Sequence, residues 1–259
     1  MKNTYKDHYR RGDLIMWVDL STYCNAGCPQ CHRTKLIGHT TEDWLPLVQW
    51  SLQTFVEAFP INTLHHYARW EFCGTWGDPL MNKDLFGIVQ YIIDNSTARI
   101  QINTNGSIRD ANWWWDFGVM GGNRLQVWFD IDGTTQDMHS LYRQKTNLDK
   151  IKENVEAYCA TNAEACAMTI VFKHNQDYLW DIHDMIRGLG VKGKLIFAES
   201  NRFYHQDYHD SWNIAGELVR LEQATLNGDH PLLNDEVPIR DHKWRKKFVA
   251  DGNKTNDYW

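Results

Sequence analysis

The sequence predicts a parallel α/β fold, on two observations. Short β-rich runs alternate with longer segments whose apolar residues recur at helical spacing, the pattern of repeated β/α units. Gly, Asp, Asn and Cys also gather at the predicted C-terminal ends of four successive strands, where the ligands of parallel sheets bind. The chain has 259 residues, 42% of them hydrophobic and 23% charged, which suits one large domain or two small ones and excludes an extended disordered tail.

The first strand is read at Leu14–Leu20 (LIMWVDL). A helix follows, capped by Thr40 or Thr41, with Leu45, Val48, Leu52, Phe55 and Val56 on its apolar face and Pro60 at its end. The second unit pairs a strand over Tyr67–Phe72 with a helix over Lys83–Asp94. The third strand, Arg99–Asn103, ends in TNG, and its helix carries Trp113, Trp114 and Trp115. The fourth, Leu125–Phe129, runs into DIDG, and a long loop leads to a helix over Leu148–Ala160. Strands over Ala167–Phe172 and Lys194–Phe197 flank a helix over Tyr178–Leu189. Six such units form either an open doubly wound sheet or a partial barrel. Residues 1–203 form this core, and residues 204–259, which lack the alternation, form an extension capping it.

Lys and Arg total 27 against 33 Asp and Glu, a net charge of −6, so nucleic acid is not the expected partner. No apolar run approaches the roughly 18 residues of a membrane span, and the first residues lack the apolar stretch of a secretory signal, so a cytoplasmic location is expected. Six cysteines are too few for a disulfide scaffold; in a reducing compartment, clustered thiols read as metal ligands. Cys24, Cys28 and Cys31 form C-x3-C-x2-C after the first strand. A zinc site would need a fourth ligand, with His32 and His39 at hand. Cys28-Pro-Gln-Cys31-His32 also fits haem attachment, but leaves Cys24 idle. The third reading is a [4Fe–4S] cluster held by three thiolates, with one iron open.

With GTWGDP after the second strand and DIDG after the fourth, the chain resembles the radical S-adenosylmethionine (SAM) enzymes over about residues 14–200. The resemblance implies a partial (β/α)6 TIM-type barrel with a C-terminal extension. It implies one [4Fe–4S] cluster on Cys24, Cys28 and Cys31, and SAM chelating the open iron. Reductive cleavage of SAM would then give methionine and a 5′-deoxyadenosyl radical that takes hydrogen from a substrate. Gly74, Thr75, Trp76, Gly77 and Asp78 resemble the turn that receives the methionine amino group. Asp130 and Asp132 stand where relatives contact the ribose, and Arg143, in a stretch resembling an HD-x-x-R region, is expected to meet the SAM carboxylate. Gln30, Asn103 and Ala198 complete the expected cofactor wall.

Three departures stand out. Gln30 replaces an aromatic, Asp78 is shorter than the usual Glu, and Asp130 replaces a hydroxyl residue. No cysteine follows Cys166, so no auxiliary cluster is expected. Lys173, His174 and Glu199, at the ends of the last two strands, are candidates for substrate contact or proton transfer. The substrate is expected to be a peptide or protein, or next a nucleotide-like molecule, with a flavodoxin- or ferredoxin-type reductant supplying electrons. The alternative is a non-catalytic zinc or iron–sulfur interaction module. Cys73 is read as a small core residue or a cavity wall. Cys159 and Cys166 carry no assigned function. His205 and His209 are spaced for a metal if helical, and the basic segment Ile239–Lys247 reads as a solvated face.

Overall fold

The computed structural model of the chain describes residues 14–203, 206–226 and 230–233. His205 and the basic segment Ile239–Lys247 lie outside them. Six strands, β1 (Leu14–Trp17), β2 (Tyr67–Phe72), β3 (Arg99–Thr104), β4 (Leu125–Asp130), β5 (Glu164–Val171) and β6 (Leu195–Glu199), form one sheet in sequence order. Every pairing is parallel, and β1 and β6 do not pair with each other, so the curled sheet is a half-barrel open on one side.

Strand alternation sets the two faces. Trp70, Phe72, Ile100, Ile102, Leu125, Val127, Phe129, Leu195 and Phe197 are fully or almost fully buried beneath the helices. Residues of the other parity (Glu71, Gln101, Asn103, Gln126, Trp128, Asp130) form a polar inner face. Its side chains pair locally: Arg69 with Glu71, Gln101 with Asn103 and Trp128 with Gln126.

Helices α1 (Leu52–Ala58), α2 (Ile61–Leu64), α3 (Leu85–Asn95), α4 (Ala111–Gly121), α5 (Gln136–Ser140), α6 (Leu148–Cys159) and α7 (Leu179–Gly188) connect the strands. The caps are those the residue types favour. Ser51, Asp110, Thr135 and Asn147 each accept a backbone N–H three residues on. On α4, Trp114 is buried against Phe129 and Tyr158, Trp113 stacks on Phe117 at 4.5 Å, and Trp115 is exposed.

The first helix is a correction to the sequence reading. It begins at Leu52 instead of Thr41, because Pro46 falls inside the apolar pattern, lacks an N–H and disfavours helical backbone before it. The segment ahead of it is irregular: Gln49 bridges Ser21, and the Thr22 N–H donates to the Val48 carbonyl. Trp44, Leu47 and Val48 are exposed.

Beyond β6 lies an antiparallel hairpin, β7 (Tyr208–Trp212) and β8 (Leu218–Glu222). Trp212 bonds through its backbone to Leu36 and Gly38, and Gln223 bridges Phe172, so the hairpin ties the segment after the cysteines to the end of β5. His209 therefore lies on a strand and not on a helix, with Nε2 3.0 Å from the Pro29 carbonyl oxygen.

Candidate active site

The three cysteines sit on the loop leaving β1, at the C-terminal mouth of the half-barrel. The Gly27 N–H donates to the Gln144 carbonyl at 3.0 Å, and a Cβ at Gly27 would press on the His39 carbonyl oxygen, so the loop lies flat against its neighbours. Leu221 of the hairpin packs with Ala26, Cys28, Tyr142 and Phe172 behind it. All three thiols line one cavity of about 100 Å³, whose other walls include Cys73, Asp78, Asn103, Asn105, Asp130 and Arg143. Among the described residues no three His, Cys, Asp or Glu side chains converge on a single metal-ion position. Burial raises the pKa of both Cys24 and Cys28, the latter to about 11. A cationic metal centre offsets this cost of forming thiolates.

The turn after β2 is built on backbone contact. Gly74 has φ +63°, and a Cβ at Gly77 would overlap the Ser21 carbonyl oxygen, so GTWGDP packs directly on the chain leading to the cysteines. Asp78 N–H donates to the Tyr23 carbonyl at 2.7 Å. The Asp78 carboxylate is itself fully engaged. It accepts from Leu80 N–H (2.9 Å), Asn105 N–H (3.0 Å), Asn105 Nδ2 (2.7 Å) and the Thr104 hydroxyl (2.9 and 3.0 Å to its two oxygens). Burial raises its pKa, and these donors oppose the rise. Asp78 thus caps the 3-10 turn Pro79–Met81 and fastens it to the end of β3.

On the opposite wall, Arg143 donates from Nε to Asp132 at 2.5 Å, and its Nη1 lies 3.2 Å from Asp130 Oδ2 and 3.9 Å from Cys28 Sγ. Its burial disfavours the cation, but Asp130 and Asp132 outweigh that and hold its pKa well above the ordinary value. Asp132 is completely buried and also accepts the Ile170 N–H at 2.6 Å. It does not line the cavity and anchors Arg143 from beneath. Asp130 does line the cavity, and burial lifts its pKa to about 6. His139 of α5 accepts the Asp132 N–H on Nδ1 at 3.2 Å, and burial lowers its pKa to about 4.

The structure separates the remaining expected residues. Asn103 lines the cavity, and Ala198 lies on the inner-face parity of β6. Thr75 donates its N–H to Asp19, and Trp76 meets Trp44 edge-on at 5.4 Å, so both brace the turn. Gln30 is a tether: its side chain accepts the Ser200 hydroxyl at 2.6 Å, and its carbonyl accepts Arg202 Nη1 at 2.6 Å.

None of the three substrate-side candidates reaches the cavity lining. Lys173 is half exposed and pairs with Glu222 of β8 at 2.6 Å. His174 stacks on Phe172 with its Nε2 buried. Glu199 has the parity of Leu195 and Phe197, the helix-facing side of β6. His32 is exposed and His39 buried, and neither joins the thiols around the cavity. Sequence reasoning missed Asn105, although the TNG motif contains it. Its Nδ2 reaches Asp78 and Asn25 and lies 3.9 Å from Cys24 Sγ.

No family model matches the chain. It is 20% identical over 256 residues to a probable GTP 3′,8-cyclase of Methanothermobacter thermautotrophicus, covering 96% of this chain and 76% of that protein. It is 23% identical over 198 residues to an AdoMet-dependent heme synthase of Oleidesulfovibrio alaskensis, covering 76% and 48%. Among solved structures it is similar to anSMEcpe with bound AdoMet (TM-score 0.54, 16% identity, 71% of this chain and 50% of that one). It is also similar to Streptococcus suis SuiB bound to the precursor peptide SuiA (TM-score 0.57, 9% identity, 75% and 41%). The chain spans half or less of these two structures. In its sequence and in the half-barrel that carries its cysteine loop, this chain resembles the radical SAM enzymes.

Proposed function

We propose that the chain is a radical SAM enzyme. The observation that carries the reading is the meeting, around one cavity at the strand ends, of three thiols from the C-x3-C-x2-C loop with the Asp130–Arg143 pair. Cys24, Cys28 and Cys31 would hold a [4Fe–4S] cluster. The donor set fits it: soft thiolate ligands suit iron–sulfur centres, and all three thiols line the same cavity. When bound, the cluster and SAM supply a one-electron cleavage of the C5′–S bond, which releases methionine and a 5′-deoxyadenosyl radical able to take hydrogen from a substrate.

The chain's own residues bind, orient and shield. Arg143, pinned by Asp132, presents a fixed cation to a carboxylate, and a guanidinium makes such contacts in a forked geometry. Leu221, Phe172 and Tyr142 close the cysteine loop from behind and limit water around it. The substrate would enter from the open side of the half-barrel and meet the polar inner face.

A peptide or protein is the favoured substrate and a nucleotide-like molecule the second. The first is supported by likeness to the peptide-bound SuiB fold, the second by sequence similarity to a GTP cyclase. An external one-electron protein reductant completes the scheme. The alternative is a non-catalytic zinc or iron–sulfur interaction module, which would need neither the GTWGDP turn nor the Asp130–Arg143 pair beside its thiols.

Anaerobic reconstitution tests the reading. About four iron and four sulfide per chain, with 5′-deoxyadenosine formed from SAM and a reductant, are expected. One zinc and no colour would overturn it.

A further inference from the structure

Two carboxylates border the cavity, and they differ in what they have left to offer. Asp78 accepts from Leu80, Thr104 and both nitrogens of Asn105, and it is almost completely buried. Each oxygen already has at least two protein donors. Its side chain is also a methylene shorter than the Glu that the motif resemblance places there. Asp130 is engaged only on Oδ2, by Arg143 Nη1 at 3.2 Å, and its side chain keeps 19% of its surface accessible. Among the described residues its Oδ1 has no hydrogen-bond partner. Nor has Nη2 of Arg143, whose Nε and Nη1 are committed to Asp132, Asp130 and Cys28.

The Asp130–Arg143 pair therefore presents a free acceptor beside a free donor, held in fixed relation by the buried Asp132. An amino acid's main-chain end is complementary to that pair: its amino group donates, and its carboxylate accepts.

We infer that Asp130, and not Asp78, receives the amino group of the methionine end of SAM, so that Asp130 and Arg143 read the amino acid as a pair while Asp78 is a positioning residue. The two sequence departures, Glu shortened to Asp at 78 and a hydroxyl residue replaced by Asp at 130, then compensate each other. The free carboxylate has moved from the β2 turn to the end of β4. This inference rests on the radical SAM reading above.

The test measures binding to the anaerobically reconstituted protein, by calorimetry and by the change in the reduced cluster's paramagnetic spectrum on ligand addition. Two probes are used: SAM, and its analogue with hydrogen in place of the α-amino group. A hydrogen bond to a charged group sets the scale, so Asp130→Asn is expected to weaken SAM binding roughly 10- to 100-fold. It should leave the affinity for the amino-less analogue unchanged. Asp78→Asn should lower the melting temperature and cluster content but keep the wild-type preference for SAM over the analogue.

Should Asp130→Asn fail to hold its cluster, Asp130→Ser, which leaves the Asp132–Arg143 anchor intact, is measured in its place. A wild-type preference in the Asp130 variant, or its loss in a cluster-loaded Asp78→Asn protein, overturns the inference. Wild-type protein that binds a cluster but no SAM overturns it together with the reading beneath it. That outcome is distinct, because it appears before any substitution is made.

Discussion

Asp132→Ala isolates the interaction on which the cavity's positive wall depends. Asp132 has no exposed surface, Arg143 only 11%, and Nε and Oδ2 are 2.5 Å apart. Removing one partner of a buried ion pair costs roughly 3–5 kcal/mol, because the survivor is left in a poor solvent. Arg143 keeps Asp130 at 3.2 Å, which places this pair at the lower end of that range. The truncation also orphans the Ile170 N–H, now bonded to Oδ1 at 2.6 Å, and an unsatisfied buried donor costs roughly 1–3 kcal/mol. The sum is about 4–6 kcal/mol, equivalent to a fall in melting temperature of roughly 8–24 °C for a domain of this size. Thermal and urea unfolding of the reduced, metal-free protein measure it. Asp132→Asn, which keeps an acceptor for Ile170, should lose less. Asp132→Leu combined with Arg143→Met should recover only part of the loss, since neither charge of that pair remains but Asp130 loses its cation and the Ile170 N–H stays unpaired. A loss under about 1 kcal/mol for Asp132→Ala would refute the anchoring argument. So would a larger loss for Asp130→Ala, which would make Asp130 the anchor.

Three further outcomes are expected. Cys28→Ala should abolish iron binding and visible absorbance on reconstitution, whereas Cys73→Ala should retain both. The Cys73 thiol faces Glu71 at 3.8 Å and is pushed up to about 11 by burial and that carboxylate, so iron loss in Cys73→Ala would mean four thiolate ligands and no open corner. Gly77→Ala should lower the melting temperature and iron uptake together, because a methyl there collides with the Ser21 and Tyr23 carbonyls that lead into the cysteine loop; wild-type iron content would contradict this. Finally, His139 titrates near 4 when folded against 6.5 when unfolded, so the unfolded state binds more protons between those values. Its contribution is complete above pH 6.5 and is lost as pH falls toward 4, by up to about 3 kcal/mol at 1.36 kcal/mol per unit. Urea midpoints at pH 7 and 4.5 should therefore fall further for wild type than for His139→Asn. Parallel falls would exclude His139 as the source.

The fold was legible where local chemistry and tertiary packing agree. The six strands and four of the five expected connecting helices lie within a few residues of their expected places, because strands buried on both faces or on one carry strong periodic signals. The first helix was misplaced because its apolar spacing was weighed without Pro46. The hairpin was missed because only its second strand alternates. In β8, Val219 and Leu221 are buried while Leu218, Arg220 and Glu222 are exposed, and Asn213 to Gly216, with φ +79° at the glycine, supplies the turn. At five residues, with no helix beside it, β8 carries too short a period of two to stand out after the last β/α unit.

The site was legible to the extent that its residues lie next to one another in sequence. The cysteines, GTWGDP and DIDG each sit on one strand end, so strand topology alone brings them together. What spacing could not supply is which oxygen of which carboxylate is already occupied. Asp78 and Asp130 look interchangeable in sequence; only the Thr104 and Asn105 donors, from a third strand, distinguish a saturated carboxylate from an available one. The same limit explains Lys173, His174 and Glu199. Proximity to a strand end placed them near the mouth, but strand parity turns Glu199 to the helix side, and a hairpin not read from the sequence takes up Lys173. Polar residues at a barrel rim are therefore assigned by parity and by what already fills their hydrogen-bonding capacity. On that basis Asn103 of β3, which has the inner-face parity and lines the cavity beside the thiols, is set apart from Glu199 of β6, which does neither.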